Sequence, residues 1–559
     1  MRIFWYVLQI NFKLEQFYCT ATQARANCAP GSLEDVGRFA GASMKKDHRG
    51  AALIRLMCVP PFKHTPDLMA EMISYCEQDV RAMRAISKGL RPLSDEELAD
   101  YHVNEQINDR GVLVDVPLCK AAIKYAAAEL VEIEAIVQEV SEGAIVSVRS
   151  PKMRQWVWDR VGEEARTLMQ KDDKISIDKT VRANLLNCDG VPEDVKEIIQ
   201  CADDLWASSV AKFSRLAALA DDEDERVRGA FVFAGGAATG RASSYGAQVH
   251  NFTRKCAGDP SAVRHAMVRG HAIVPRFGER VTDVLKGMLR PALIPAHGRS
   301  FVVADWSSIE ARVNPWLSGR GQDKLDIFAK GQDVYKVNAA ATFNVQIEDV
   351  TDDQRQIGKV QELACGFAGG VGAFAAMGRV YKVNLPEPIA RRMVDGWRRA
   401  NTWAVPFWSE LEEQYTRAMR NKGREFTAGR ITYLFDGQHL WYALPSGRVL
   451  CYPFAKLEQD GISYAKSAWK PAQDAKEWPR ARLWKGLACE NVTQAVANDL
   501  LRHALRQLDG VVLHIHDEIV IETATPNPEE LRRVMCTPPA WANGLPLAAD
   551  VKVMERYGK

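Results

Sequence analysis

The chain has 559 residues, room for roughly two to four domains, and its 47% hydrophobic and 26% charged content is that of a globular protein. A formal net charge of +2 excludes no class of partner, because a nucleic-acid enzyme need only gather its positive charge along one groove. The twelve cysteines contain no CxxC pair, which argues against a zinc site or a disulfide framework and for reduced thiols in the cytoplasm.

Taken in order, Ile3–Ile10 is apolar but far too short to span a membrane, and it lacks a small-residue cleavage site; it reads as a strand. Tyr75 and Asp79 then make a YxxxD pattern on a predicted helix. That pattern resembles the last metal-binding segment of the DEDD-type 3′–5′ proofreading exonucleases. Such enzymes need further carboxylates, beginning with a DxE on their first strand. The first aspartate here is Asp35, so residues 1–92 resemble an RNase H-like exonuclease domain without its front half. A plain helix face is the alternative. Neither reading gives proofreading from this chain alone.

Pro92 and Ser94 mark a linker and a helix start, and Asn104–Asp115 reads as a helix end, a turn at Gly111 and a short strand. Helical patterns then run from Lys120 to about Ala220, a scaffold with no chemistry of its own. From Ala237 to Lys255 the chain packs Gly, Ser, Arg, Gln, His and Asn into one loop. Arg241, Gln248, His250 and Asn251 could donate hydrogen bonds to the minor-groove acceptors that all base pairs share.

Phe301–Val313 is an apolar strand ending at Asp305, followed by a helix start with Ser307 and Glu310 spaced as a capping box. Thr351 and Gln354 have the same spacing at the head of a helix that runs toward Gly369 and Gly370. Along it Arg355, Lys359, Leu363 and Phe367 recur every fourth residue, so they form one slowly turning stripe. Two cations followed by two apolar groups suit a ligand with a polyanionic end and a flat end, a nucleoside triphosphate; a surface helix whose basic residues are solvated is the alternative. Thr427–Tyr452 reads as antiparallel strands with turns at Asp436–Gly437 and Ser446–Gly447. Val511–Glu522 is two β-branched runs around His516–Asp517, a hairpin with an aspartate at its tip. If the two strands are neighbours, Asp305 and Asp517 could hold two Mg²⁺ ions. His514, His516 and Asp517 also spell HxHD, a hydrolase metal pattern, but no histidine follows to complete one.

The order TGR…SS, DxSxIExR, RxxxKxxxxxxxFxGG, a helical Gln and HDE resembles the polymerase half of the family A DNA polymerases, most of all their phage members. The resemblance covers residue 91 to the end. It implies an α+β right-hand fold, with an antiparallel palm sheet and helical fingers and thumb. The parts would be palm entry and thumb over 93–236, palm over 237–350, fingers over 351–426 and palm again over 427–559. It implies addition of dNTPs to the primer of a primer–template by a monomer with two Mg²⁺ ions, for which Mn²⁺ can substitute, and no membrane. The setting would be the cytoplasm, that of a bacterial host if the gene is phage-borne.

Carried over by position, the resemblance makes Asp305, the Trp306 backbone carbonyl and Asp517 the metal ligands. Arg355 and Lys359 become the grip on the triphosphate, and Glu310 the group that excludes ribonucleotides. His516 and Glu518 flank the catalytic aspartate, and Glu518 joins Asp305, Asp517 and Lys359 as catalytic. Arg241 and Gln494 read the minor groove, and Arg254 lies near the phosphates. Four positions depart from the family: Trp306 and Phe367 stand where Tyr is usual, Leu363 replaces an aromatic over the sugar, and Tyr335 stands in for a phosphate-contacting His. A single-subunit RNA polymerase is opposed by Glu310, and a dead DNA-binding scaffold by the survival of Asp305, Lys359 and Asp517.

Overall fold

Helix boundaries follow local side-chain chemistry closely in this computed structural model, which describes residues 7–41, 49–171, 174–205, 211–466 and 478–558. Helix α1 (Pro66–Gly89) starts where the Thr65 hydroxyl accepts from the Leu68 N–H, with Pro66 at its first position. Helix α2 (Asp95–Arg110) opens on a full capping box between Ser94 and Glu97, and ends at Gly111, whose φ of 63° only glycine adopts cheaply. Before α1 lie three short helices, Thr20–Ala26, Leu33–Phe39 and Gly50–Cys58.

Among the described residues, positions 7–92 contain no strand. The strand expected over Ile3–Ile10 is therefore not found in Val7–Ile10, and its first residues lie outside the described ones. Side chains rather than sheet pairing seat this segment. Asn27 donates to the Arg91 carbonyl at 2.9 Å, and the Cys451 N–H donates to Cys28 Sγ at 3.2 Å.

Helix α3 (Val116–Val140) leads into the expected helical region, which has a core of its own built on Val137, Met153, Val157, Leu185 and Ile198. Positions 206–210 of the last predicted helix there lie outside the described residues.

Next come strand β1 (Ser300–Trp306) and helices α4 (Ile309–Ser318), α5 (Val334–Phe343) and α6 (Asp352–Cys365). The capping box expected at Ser307 and Glu310 does not form. Ser308 is the N-cap, at φ 54° and with no side-chain cap bond, because Ser307 Oγ donates to Asp550 at 3.2 Å and Glu310 pairs with Arg241. The box at Thr351 and Gln354 does form. Helix α6 stops at Cys365, short of Phe367, because the chain doubles back into α7 (Val371–Val380) through a close turn. A Cβ on Gly369 would lie 1.9 Å from the Ala364 carbonyl oxygen. Phe367 is thus a turn residue and not the last member of a helical stripe. Helix α6 lies on α5, outside the expected fingers range, so tightly that a Cβ on Gly358 would meet the Tyr335 carbonyl at 2.1 Å.

Helix α8 (Glu387–Ala400) packs on α5, α6 and α7. Strands β2 (Glu425–Ala428), β3 (Ile431–Phe435), β4 (Leu440–Ala443) and β5 (Val449–Tyr452) do pair antiparallel with turns where expected. They form a sheet of their own, though, and do not extend the one that holds Asp305. Helix α9 (Lys485–Leu505) is buried along most of its length against α4. The chain closes with β6 (Val511–Ile515), β7 (Glu518–Thr523) and β8 (Ala549–Met554), giving a four-stranded antiparallel sheet in the order β6-β7-β1-β8. No helix among the described residues is long and apolar enough to cross a membrane.

Candidate functional site

Pairing in this last sheet brings together carboxylates more than two hundred residues apart. Asp305 is the next-to-last residue of β1, and Asp517 occupies the two-residue turn between β6 and β7. The register sets Glu518 opposite Asp305, and the Trp306 N–H donates to the Asp517 carbonyl at 3.2 Å. His516 takes the left-handed φ of 58° in that turn, a conformation a side chain resists and the hairpin imposes. On the other side of β1, Asp550 lies opposite Asp305. Asp305, Asp517 and Asp550 all line one cleft of about 1890 Å³. Two strand-end carboxylates and the Trp306 carbonyl are hard oxygen donors, the set that suits Mg²⁺. The Trp306 indole is turned into the core, where it donates to the Met535 carbonyl at 2.8 Å.

The stripe of α6 forms the facing wall. Arg355 Nε is 2.6 Å from Asp333 Oδ2, and its guanidinium lies 5.4 Å from the Tyr335 ring centroid. Lys359 Nζ lies 4.5 Å from the Tyr381 ring centroid, and burial followed by the charge of Arg355 pulls its pKa down. Leu363 and Phe367 line the cleft beyond them. Tyr335 reaches Ser308 Oγ at 3.3 Å. At the cleft floor Arg241 Nη2 donates to Glu310 Oε1 at 3.0 Å, and Arg254 and His516 lie at the edge.

Five of the expected residues are placed elsewhere. Gln248 and Asn251 are exposed, His250 is half-buried, and none of the three lines the cleft. Gln494 sits on α9 and donates to Glu490 Oε1 at 3.2 Å. Burial, and then Glu310, raise the pKa of that Glu490 carboxyl. Glu518 does not flank the reacting space. Its carboxyl is 3% exposed, accepts from the Tyr557 hydroxyl and has Arg290 at 3.6 Å.

The sequence reading missed Asp333, Tyr381 and Asp550. Asp333 announces itself only as a helix cap. Asp550 depends on strand register, and Tyr381 on the return of α7 toward α6.

Behind the hairpin, burial keeps two imidazoles neutral. His514 is stacked on Phe231 at 4.3 Å, and burial, with His250 and Arg502 nearby, pushes its pKa down to about 3. His250 is pushed down to about 4, by burial and then by His516. The unfolded chain takes up these protons near 6.5, well before the folded chain does. Stability therefore falls as pH drops from about 6.5, by up to about 1.4 kcal/mol per pH unit for each histidine. Urea midpoints at pH 7, 6 and 5 should fall less steeply for His514→Phe than for wild type. Equal slopes would mean that His514 does not enter the balance.

With the geometry in place, comparison with known proteins identifies the chain. Residues 117–425 match the family model for DNA polymerase family A. That stretch includes Asp305 and Lys359 and ends before the Asp517 hairpin. A DNA polymerase of Bacillus phage SP02 is 32% identical over 576 residues, covering 97% of this chain and 86% of the phage protein. DNA polymerase I of Chloroflexus aurantiacus is 30% identical over 44% of this chain and 22% of its own. The fold is that of a solved structure described as the POL domain of Pol1 from M. smegmatis in complex with DNA primer-template and dNTP. The TM-score is 0.61 at 16% identity, over 96% of this chain and 81% of that one. A right-hand polymerase fold and a family match over more than half the chain converge on one conclusion: the protein belongs to DNA polymerase family A.

Proposed function

We propose that the cleft extends a primer 3′ end on a DNA template, taking dNTPs, with Asp305, Asp517 and the Trp306 carbonyl holding two Mg²⁺ ions. The observation that carries this reading is the meeting of Asp305 and Asp517 on one sheet across a cleft from Arg355 and Lys359. When bound, the metal pair activates the attacking primer oxygen and offsets charge on the leaving pyrophosphate. Arg355 and Lys359 draw in the triphosphate and hold it through the transfer, when its negative charge grows. Leu363 and Phe367 give the base and sugar an apolar wall, and Glu310 closes the space at the sugar 2′ position. Arg241, with Gln494, Gln248, His250 and Asn251 from outside the cleft, contacts the minor groove of the product duplex, and Arg254 its phosphates. In this reading residues 237–350 and 427–559 are palm, 351–426 fingers and 93–236 palm entry and thumb. The enzyme works as a monomer in a host cytoplasm.

A 5′-labelled primer–template with Mg²⁺ tests the reading in parallel lanes of dNTPs, rNTPs and no nucleotide. Wild type should extend with dNTPs alone, and the empty lane should show no shortening. Glu310→Ala should gain rNTP extension by roughly tenfold or more, because a blocked pocket discriminates by more than 1 kcal/mol. Equal use of both sugars by wild type would overturn the role of Glu310, and duplex binding without extension would overturn the polymerase reading.

A further inference from the structure

We propose that Tyr381 is a positioning residue for Lys359, holding its ammonium ready for the triphosphate; the inference rests on the triphosphate role just given to Lys359. The two cations of α6 are held differently. Arg355 is ion-paired to Asp333 at 2.6 Å, and the hydrogen bond from Arg355 helps keep that carboxyl ionised against its burial. An arriving triphosphate must therefore compete with a full negative charge for Arg355. Lys359 makes no ion pair or hydrogen bond among the described residues, and its Nζ rests 4.5 Å from the Tyr381 ring centroid. A ring face attracts an ammonium without neutralising it and without using up its three N–H donors. Lys359 thus meets phosphate oxygens with its charge undivided.

The ring moves with the helix it serves. Tyr381 caps the end of α7, where its N–H donates to the Met377 carbonyl at 3.2 Å. Its own carbonyl accepts from Gln356 Nε2 at 3.4 Å, one turn before Lys359 on α6. A lysine on a four-carbon stem otherwise samples many rotamers, and half-buried beside Arg355 it is driven toward open water. The ring gives it one preferred place on the cleft wall, facing Asp305 and Asp517.

Steady-state single-nucleotide incorporation tests this, with duplex affinity measured alongside. Tyr381→Ala should raise the dNTP KM by roughly three- to thirtyfold, the span of a cation–ring contact, with kcat and duplex Kd moving far less. Tyr381→Phe keeps the ring face and should restore KM to within about twofold of wild type, since only the ring is needed. In a Lys359→Ala background, Tyr381→Ala should add little, because the ring then has no ammonium to hold. An unchanged KM in Tyr381→Ala would overturn the proposal, as would equal damage from Phe and Ala, or full damage without Lys359. Lys359→Ala with an unchanged dNTP KM would instead sink the triphosphate role of Lys359 itself.

Discussion

Asp517→Ala should lose primer extension by on the order of a thousandfold or more while still binding duplex DNA. In the proposed function Asp517 and Asp305 hold the metal ions, and Asp550 and Glu310 are further carboxylates lining the same cleft. Metal-centred charge stabilisation is worth several kcal/mol, and each 1.36 kcal/mol is tenfold in rate. Removing either of the two ligand carboxylates leaves one to hold two divalent ions side by side. The tip of a two-residue turn tolerates the change sterically, though the left-handed His516 beside it makes the turn sensitive. Asp517→Asn, nearly isosteric, should therefore be run beside it and should fail as badly. The measurement is single-turnover extension of a labelled primer with saturating Mg²⁺, with duplex binding followed by anisotropy. An Asn variant within tenfold of wild type would remove Asp517 from the reaction.

Lys324→Met should cost about 3–5 kcal/mol of stability, the largest structural effect expected outside the apolar core. Lys324 and Glu362 are ion-paired at 2.8 Å with side chains only 4% and 5% exposed. Glu362 Oε2 also accepts from Asn338 Nδ2 at 2.6 Å and from the Trp397 indole at 3.0 Å, so one oxygen ties α6 to α5, α8 and the Gln322–Ala329 helix. Without the ammonium, a buried carboxylate keeps two neutral donors and no countercharge, which is where the cost arises. Glu362 adjoins Leu363 on α6, so the same change should loosen the wall that carries Arg355 and Lys359. Lys324→Met with Glu362→Leu removes both charges and should recover much of the loss, because the desolvation cost goes with them. Thermal unfolding and limited proteolysis of the three proteins decide the matter. A single variant as stable as wild type would mean that the pair is not sealed from water.

The pieces of the site that are local in the chain were legible from the residues alone. The Thr351 cap, the step-of-four cations, the turn at Gly111 and the hairpin tip at Asp517 each follow from chemistry within a few positions. The order of the short motifs then pointed to a family that the comparisons bear out. Failures fell where a residue had two local options and a distant partner chose between them. Ser307 and Glu310 have capping-box spacing, yet Asp550 and Arg241, each well over sixty positions away, take their side chains. Glu518 follows Asp517 directly, but Tyr557 and Arg290, distant in the chain, take its carboxyl and bury it. Phe367 continues a period of four that the close approach of Gly369 to Ala364 ends. Sequence by itself settled the groups available for the chemistry and the elements that carry them, because capping, periodicity and turn formation act over one to four residues. Tertiary structure alone decided which strand lies beside β1, which cation meets Asp333 and which meets Tyr381. Those pairings are set by strand register and helix packing between segments far apart in the chain, and no short stretch encodes them.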